Sequence, residues 1–231
     1  GPDRWLEMRD PLGAPERVEF KHQAPGIPFN DARGIPADMP NADNQFLYYR
    51  NTFYWDRSAY RAGAGDYSKA RLRHWYHDLV NYNQTSAALE STKEPLEGRV
   101  WLRTPGDSGL TSGTYNQPSQ IGRVLDDGSG QVVSIEYNAR GNPSRRTDAV
   151  GRVTEWVSYN NIDIAQISHK SPTGLYWRMV AQFLGYNSQH RPATFIDAAG
   201  QITRYTYNSA GQMLSEQDPL NLSLIHISEP T

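Results

Sequence analysis

Histidines 74 and 77 stand three residues apart with Asp78 adjacent, a set of ligand types that could seed a metal site. The spacing argues for structural histidines instead. No Glu follows in the arrangement of a zinc hydrolase, and a strand would point the two imidazoles to opposite faces. Asp126, Asp127, Gly128 and Ser129 resemble a calcium loop but lack the later bidentate carboxylate, so they read as a turn. The stretch from Gly63 through Gly65 to Lys69 hints at a phosphate loop. It misses a third glycine and a strand-to-helix setting, and reads as a connection. No Gly-x-Ser-x-Gly elbow exists, and none of the six histidines has a recognisable nucleophile partner. Asn83-Gln-Thr85 matches a glycosylation acceptor and is read as chance. The remaining chemistry is aromatic stacking. Trp55 and Trp101, in an aromatic-rich stretch, are the candidate contacts for a glycan, whereas the periodic tyrosines are better explained by packing along a sheet. No catalytic residue, metal ligand or cofactor is assigned.

The elements that would have to carry such chemistry announce themselves as a repeat, which decides architecture before single residues do. A turn recurs every ten to twelve residues from Asn116 to Asp218, in two alternating kinds. One follows a tyrosine: Tyr115-Asn116, Tyr137-Asn138, Tyr159-Asn160, Tyr186-Asn187 and Tyr207-Asn208. The other sets Asp or Ser three before glycine: Asp127 and Gly130, Asp148 and Gly151, Ser171 and Gly174, Asp197 and Gly200. Asp218-Pro-Leu-Asn221 keeps the phase without the glycine. Asp, Asn or Ser at the first turn position accepts bonds from the backbone ahead, and glycine at the fourth tolerates the exit geometry. The Asn positions are spaced 22, 22, 27 and 21 residues apart and the Asp or Ser positions 21, 23, 26 and 21. Both series lengthen together, which places an insertion of roughly five residues between Ser171 and Asn187, given strands of about five to seven residues. Each unit is predicted to be a β-hairpin. Val133, Ile135 and Tyr137 alternate with Ser134 and Glu136, and Thr203, Tyr205 and Tyr207 alternate with Arg204 and Thr206, the period of strands with one wet face.

Composition fits a thin architecture. The 231 residues carry a net charge of −2. The apolar set including glycine amounts to roughly 39%, below the usual 45–50%. A curved sheet with one apolar face needs less of that supply than a two-layer core. Mixed charge gives no electrostatic footprint for nucleic acid or membrane, and no apolar run approaches a membrane span. The absence of cysteine rules out disulfides and thiolate metal sites. Residues 1–23 read as a partial repeat with strands near Trp5–Arg9 and Glu16–His22. Residues 24–110 read as an inserted aromatic-rich segment. It opens with a Pro-rich loop to about Asn44, followed by strand pieces at Gln45–Asp56, Lys69–His77 and Arg99–Arg103. The Tyr67–Tyr82 stretch suits a helix or a strand around Leu72, His74 and Tyr76. Residues 111–221 are the regular repeats, with Trp177–Tyr186 an enlarged hairpin or a plug.

The five Tyr-Asn beats, the Gly200–Gly211 run (Gly-Gln-Ile-Thr-Arg-Tyr-Thr-Tyr-Asn-Ser-Ala-Gly) and the Asp-Pro-Leu turns resemble the RHS/YD-repeat family. Asn stands where the family has Asp after Tyr, serving the same turn role. Leu47–Asp56 and Leu96–Trp101 also resemble segments of bacterial members. The resemblance covers residues 1–220. It implies an all-β fold of consecutive hairpins forming a curved sheet, part of a spiral β-shell. Tyr115, Tyr137, Tyr159, Tyr186 and Tyr207, with Gly130, Gly151, Gly174, Gly200 and Gly211, are then architectural. It further implies a non-enzymatic segment of a secreted or surface-displayed bacterial protein that encloses a toxin or passenger. The partners would be the rest of the polypeptide and its C-terminal passenger, with no nucleic acid and no membrane span. The alternative is an adhesion module for carbohydrate or a cell surface. The chain starts inside a repeat, so it is read as a fragment. Residues 222–231 resemble a translated sequencing adapter and are set aside as not native.

Overall fold

The computed structural model describes residues 3–63 and 65–225, with side chains described to residue 222. The chain divides into two compact units, Gly1–Ser134 and Ile135–Thr231. The first holds β1 (Arg4–Arg9), β2 (Pro15–Gln23), β3 (Tyr49–Trp55), β4 (Arg71–His77), β5 (Thr85–Lys93), β6 (Val100–Arg103), β7 (Gln120–Val124) and most of β8 (Gly130–Tyr137). A short helix α1 (Arg57–Gly63) and a 3₁₀ turn (Tyr67–Lys69) separate β3 from β4. The second unit holds β9 (Pro143–Thr147), β10 (Val153–Ser158), β11 (Ile164–Lys170), β12 (Trp177–Leu184), β13 (Thr194–Asp197), β14 (Ile202–Tyr207), β15 (Met213–Gln217) and β16 (Ser223–Ile225). Within each unit the strands lie in chain order and their ladders run antiparallel, as consecutive hairpins demand.

Two small cores serve the first unit. Alternation along β3 and β4 turns Phe53, Trp55 and Leu72 inward against Ala24 and Ala70. Tyr67–Tyr82 therefore resolves as a strand with Leu72, His74 and Tyr76 on the buried side. The second core joins Met39, Leu47 and Trp101. Met39 comes from the Pro-rich segment, which forms no strand but covers the sheet: Pro36 and Met39 are buried, and a Cβ on Gly122 would collide with Met39 Sδ. The segment thus supplies the second layer that a single sheet lacks.

The second unit is built differently. Among its described residues, Ala181 is the one buried hydrophobic side chain, at 8% exposure. Its strands are half-buried along most of their length, as in the pattern of Ile202–Tyr207. Cohesion rests on the ladders, the turns and cross-strand pairs. Phe183 and Phe195, directly opposite in register, bring their rings to 5.3 Å. The thin supply of apolar residues is spent here on a wall without a second layer.

Several elements depart from the sequence expectation. Strand β5 and helix α1 were not anticipated. Thr85–Lys93 has Ala, Ser, Glu and Lys at six of nine positions beside one Leu and two Thr, and tertiary pairing with β4 overrides its weak β-propensity. Regular strands resume at Gln120 and not at Thr111, because residues 104–119 are a loop tied down by Asp107. That carboxylate accepts from Thr104 N (2.7 Å) and Tyr76 Oη (3.2 Å), and pairs with Arg103. The lengthened repeat is an enlarged hairpin: Ser171 N reaches Tyr176 O, one residue further than in the regular turns, and β12 runs eight residues. Residues 223–225 add a strand pairing with β15, although the tail was set aside; 226–231 lie outside the described residues.

The cover over the sheet yields a test. Met39→Ala should cost about 2–5 kcal/mol in urea unfolding, as for other fully buried large-to-small changes. Val157→Ala, on a half-exposed strand position, should cost well under half of that.

Candidate functional site

Seven turns share one hydrogen-bond plan. At Asn138, the backbone N–H donates to Asn142 O (2.9 Å) and Gly141 N–H donates back to Asn138 O (2.9 Å). The side-chain Oδ1 then accepts from Arg140 N (3.0 Å) and Asn142 N (3.1 Å). Asp10, Asp148, Asn187, Asp197, Asn208 and Asp218 repeat all four bonds. The two kinds of turn in the sequence are therefore one turn, and Asn serves as well as Asp because only an accepting oxygen is required. The fourth residue must take a left-handed conformation. Gly151 and Gly200 do so at φ +81°, while His190 (φ +59°) and Asn221 (φ +63°) do so without being glycine.

The Tyr-Asn turns of the second unit are also fastened to one another. Asn138 Nδ2 and Asn142 Nδ2 donate to Asn161 O at 3.0 and 2.7 Å. His190 Nδ1 lies 2.8 Å from Asp163 Oδ1, a buried carboxylate. Gln189 Nε2 donates to Ser209 O at 3.2 Å. Tyr186 and Tyr207 reach across with their hydroxyls to Ile164 O (2.7 Å) and Pro192 O (3.0 Å), and burial pushes both phenols above the usual tyrosine range. Turns one repeat apart thus form a laced column along one side of the sheet.

Of the residues singled out from sequence, Tyr137 and Tyr207 close strands, Tyr159 and Tyr186 lie just past strand ends, and Gly151, Gly174, Gly200 and Gly211 occupy left-handed turn positions. Two assignments require correction. Gly130 is not a turn glycine: the turn runs Leu125–Gly128, with Gly128 at φ +83°, and Gly130 opens β8 beneath Pro36. Tyr115 sits in the 104–119 loop, 55% exposed and away from any strand end. A third concerns the proposed glycan contacts. Trp55 and Trp101 are both at 0% exposure, with indole N–H groups donating to Asp66 O and Gly34 O at 3.1 Å, so neither ring face is open to a sugar.

Sequence reading missed a buried polar network in the first unit. His74, fully buried, holds Asn51 Oδ1 at 3.0 Å through Nδ1 and Glu90 Oε2 at 3.2 Å through Nε2. Arg50, whose side chain is 7% exposed, donates Nε to Trp75 O (2.9 Å) and places Nη2 3.4 Å from Glu90 Oε2. Burial holds the imidazole below the usual histidine range; Arg50 and Arg99 push the same way, and Glu90 opposes them. The partners lie up to 40 residues apart and meet only once β3, β4 and β5 pair, so no local signal marked them. His77 takes a separate partner, Tyr82 O at 2.6 Å, and stacks on the Tyr82 ring at 3.8 Å. Among the described residues, no group of three or more His, Asp or Glu could hold a metal ion. Arg50, His77 and Tyr82 line an open groove of about 1310 Å³.

Residues 186–221 match the family model described as RHS Repeat. The chain carries an RHS repeat. That repeat takes in the turns at Asn187, Asp197, Asn208 and Asp218 and the strands β13 to β15. Among solved structures, the crystal structure of TcdB2-TccC3 resembles 98% of this chain with a TM-score of 0.55 at 10% identity, over 11% of its own chain. The form without its hypervariable C-terminal region gives the same TM-score and coverages at 9% identity. The Photorhabdus luminescens Tc holotoxin pore matches 92% of the chain with a TM-score of 0.50 at 9% identity, over 10% of its own. The all-β hairpin fold is shared with these proteins, and the chain spans about a tenth of their length. No curated protein matches it.

Turn chemistry and network each predict an outcome. Gly151→Val and Gly200→Val should cost about 1–3 kcal/mol through backbone strain, since a Cβ at either position meets nothing within 4 Å. Gly130→Ala should be nearly neutral. Asn208→Ala should cost about 1–2 kcal/mol and Asn208→Asp little, by denaturant unfolding. For His74 the folded pKa lies below the unfolded value of 6.5, so the unfolded chain binds more protons as pH falls through that value. Stability should then drop on acidification below about pH 6.5, with His77, also held low by burial, adding in the same sense. Asp43, whose carboxyl burial raises, opposes the trend at lower pH. His74→Gln should flatten the slope between pH 7 and 5.5 in melting-temperature measurements.

Proposed function

We propose that this chain is a non-catalytic structural segment of the shell of an RHS-repeat protein, and that the shell encloses or presents a toxin or other passenger. One observation carries the reading: strands in chain order, seven of their connections closed by one repeated turn, in a fold shared with TcdB2-TccC3 chains. Strands so ordered build a surface without bringing distant side chains into a reactive pocket. The laced turns make that surface continuous from one repeat to the next. A passenger-bearing parent would be secreted or displayed on a bacterial surface, and its partners would be the remainder of the same polypeptide.

The test uses the parent polypeptide that contains residues 1–221. Purified intact and treated with a nonspecific protease, it should protect its passenger for at least tenfold longer than the same passenger expressed alone. Digestion of the passenger at the free rate would reject enclosure.

A further inference from the structure

The groove in the first unit is lined in a way that the shell reading does not require. Phe46 and Arg50, which both face it, hold left-handed backbones at φ +56° and +53°. A bulky residue in that region is strained, and such strain concentrates where a side chain is held for contact. Phe46 packs edge-on against Phe29 at 4.8 Å yet remains 46% exposed, so part of its ring stays open. Tyr82, 50% exposed, is pinned flat on His77. Tyr49 lies beside Phe46, with ring centroids at 6.5 Å. Three aromatic rings therefore line one concavity. Around them stand the amides of Asn83 and Gln84.

Arg50 adds a directed donor. Its Nε and Nη2 are taken by Trp75 O, His74 and Glu90, but Nη1 makes no hydrogen bond among the described residues. The one buried side-chain polar atom without a partner among those residues is Arg145 Nε, so Arg50 Nη1 is not sealed from solvent. A guanidinium more than nine-tenths buried and fixed by the network thus lines the groove with one N–H₂ not engaged among the described residues. Its charge is balanced by Glu90, and the rest of the lining carries one cation, Arg4, and one carboxylate, Asp43. The lining is near-neutral, aromatic and rich in amides.

We propose that this groove binds a neutral oligosaccharide. Aromatic faces suit the apolar C–H faces of a pyranose, while side-chain amides and a fixed guanidinium N–H₂ match its hydroxyls. A volume of about 1310 Å³ exceeds the roughly 300–1,000 Å³ of small-ligand pockets, which favours several sugar rings over one. Charge balance disfavours an acidic chain. The site lies wholly within residues 4–110 and stands whether or not the shell encloses a passenger.

The full chain should be titrated calorimetrically with maltohexaose, cellohexaose and chitohexaose, and with hexagalacturonic acid as the acidic comparison. At least one neutral hexasaccharide should bind, and the acid more weakly. Phe46→Gly removes the ring while relieving the backbone, and Tyr82→Ala removes the second platform. Each should weaken binding at least tenfold with a melting temperature near that of the parent chain. No binding by any neutral hexasaccharide, preference for the acid, or affinity indifferent to both variants would each overturn the site.

Discussion

One carboxylate or amide oxygen accepting two backbone N–H groups is the interaction on which the rest of the structure depends. The turns at Asp10, Asn138, Asp148, Asn187, Asp197, Asn208 and Asp218 all use it. Where the same four bonds close a reversal, the pair of strands leaves its turn in a related register and the next hairpin can continue the ladder. Other reversals differ: the Asn160 turn bonds Tyr159 N to Asp163 O, and the connections between β2 and β7 do without this plan. Ser171 supplies a shorter side chain and a longer loop, and Leu125 none, leaving its turn to Gly128 and the Asp127–Ser129 contact.

The two units answer the same shortage of apolar residues in opposite ways. In the first, an irregular Pro-rich segment folds over the sheet, bringing Met39 onto Trp101 and Leu47 and Pro36 over Gly130, and a polar network fills the space among β3, β4 and β5. In the second, Ala181 is the one buried hydrophobic side chain among the described residues, and side chains reach from turn to turn. The His190–Asp163 contact shows the substitution at work: a non-glycine residue accepts a left-handed backbone where its ring meets a buried carboxylate.

Much of this was legible in the sequence because turn chemistry is local. Asp or Asn followed three residues later by glycine marks its own reversal, and period-two alternation in Val133–Tyr137 or Thr203–Tyr207 marks the strands. Where phase alone was followed, it misled: Asp127 to Gly130 has the right spacing, yet the bonds form two residues earlier. Burial was the least legible property. Trp55 and Trp101 look like exposed platforms in a one-dimensional reading, and only the covering segment and β4 reveal them as core. Arg50, Asn51, His74 and Glu90 come from three strands, one of them with weak propensity, so their meeting belongs to the tertiary level.

The near-absence of buried hydrophobic side chains in residues 135–222 has a thermal consequence. Newly hydrated hydrocarbon is what raises the heat capacity of an opened protein, whereas exposed polar groups lower it. Melting this wall uncovers mostly peptide groups and half-wetted side chains. Its increment should fall below the usual ~12–15 cal/mol/K per residue, giving a shallow curve of stability against temperature. Such a wall loses little of its strength in the cold.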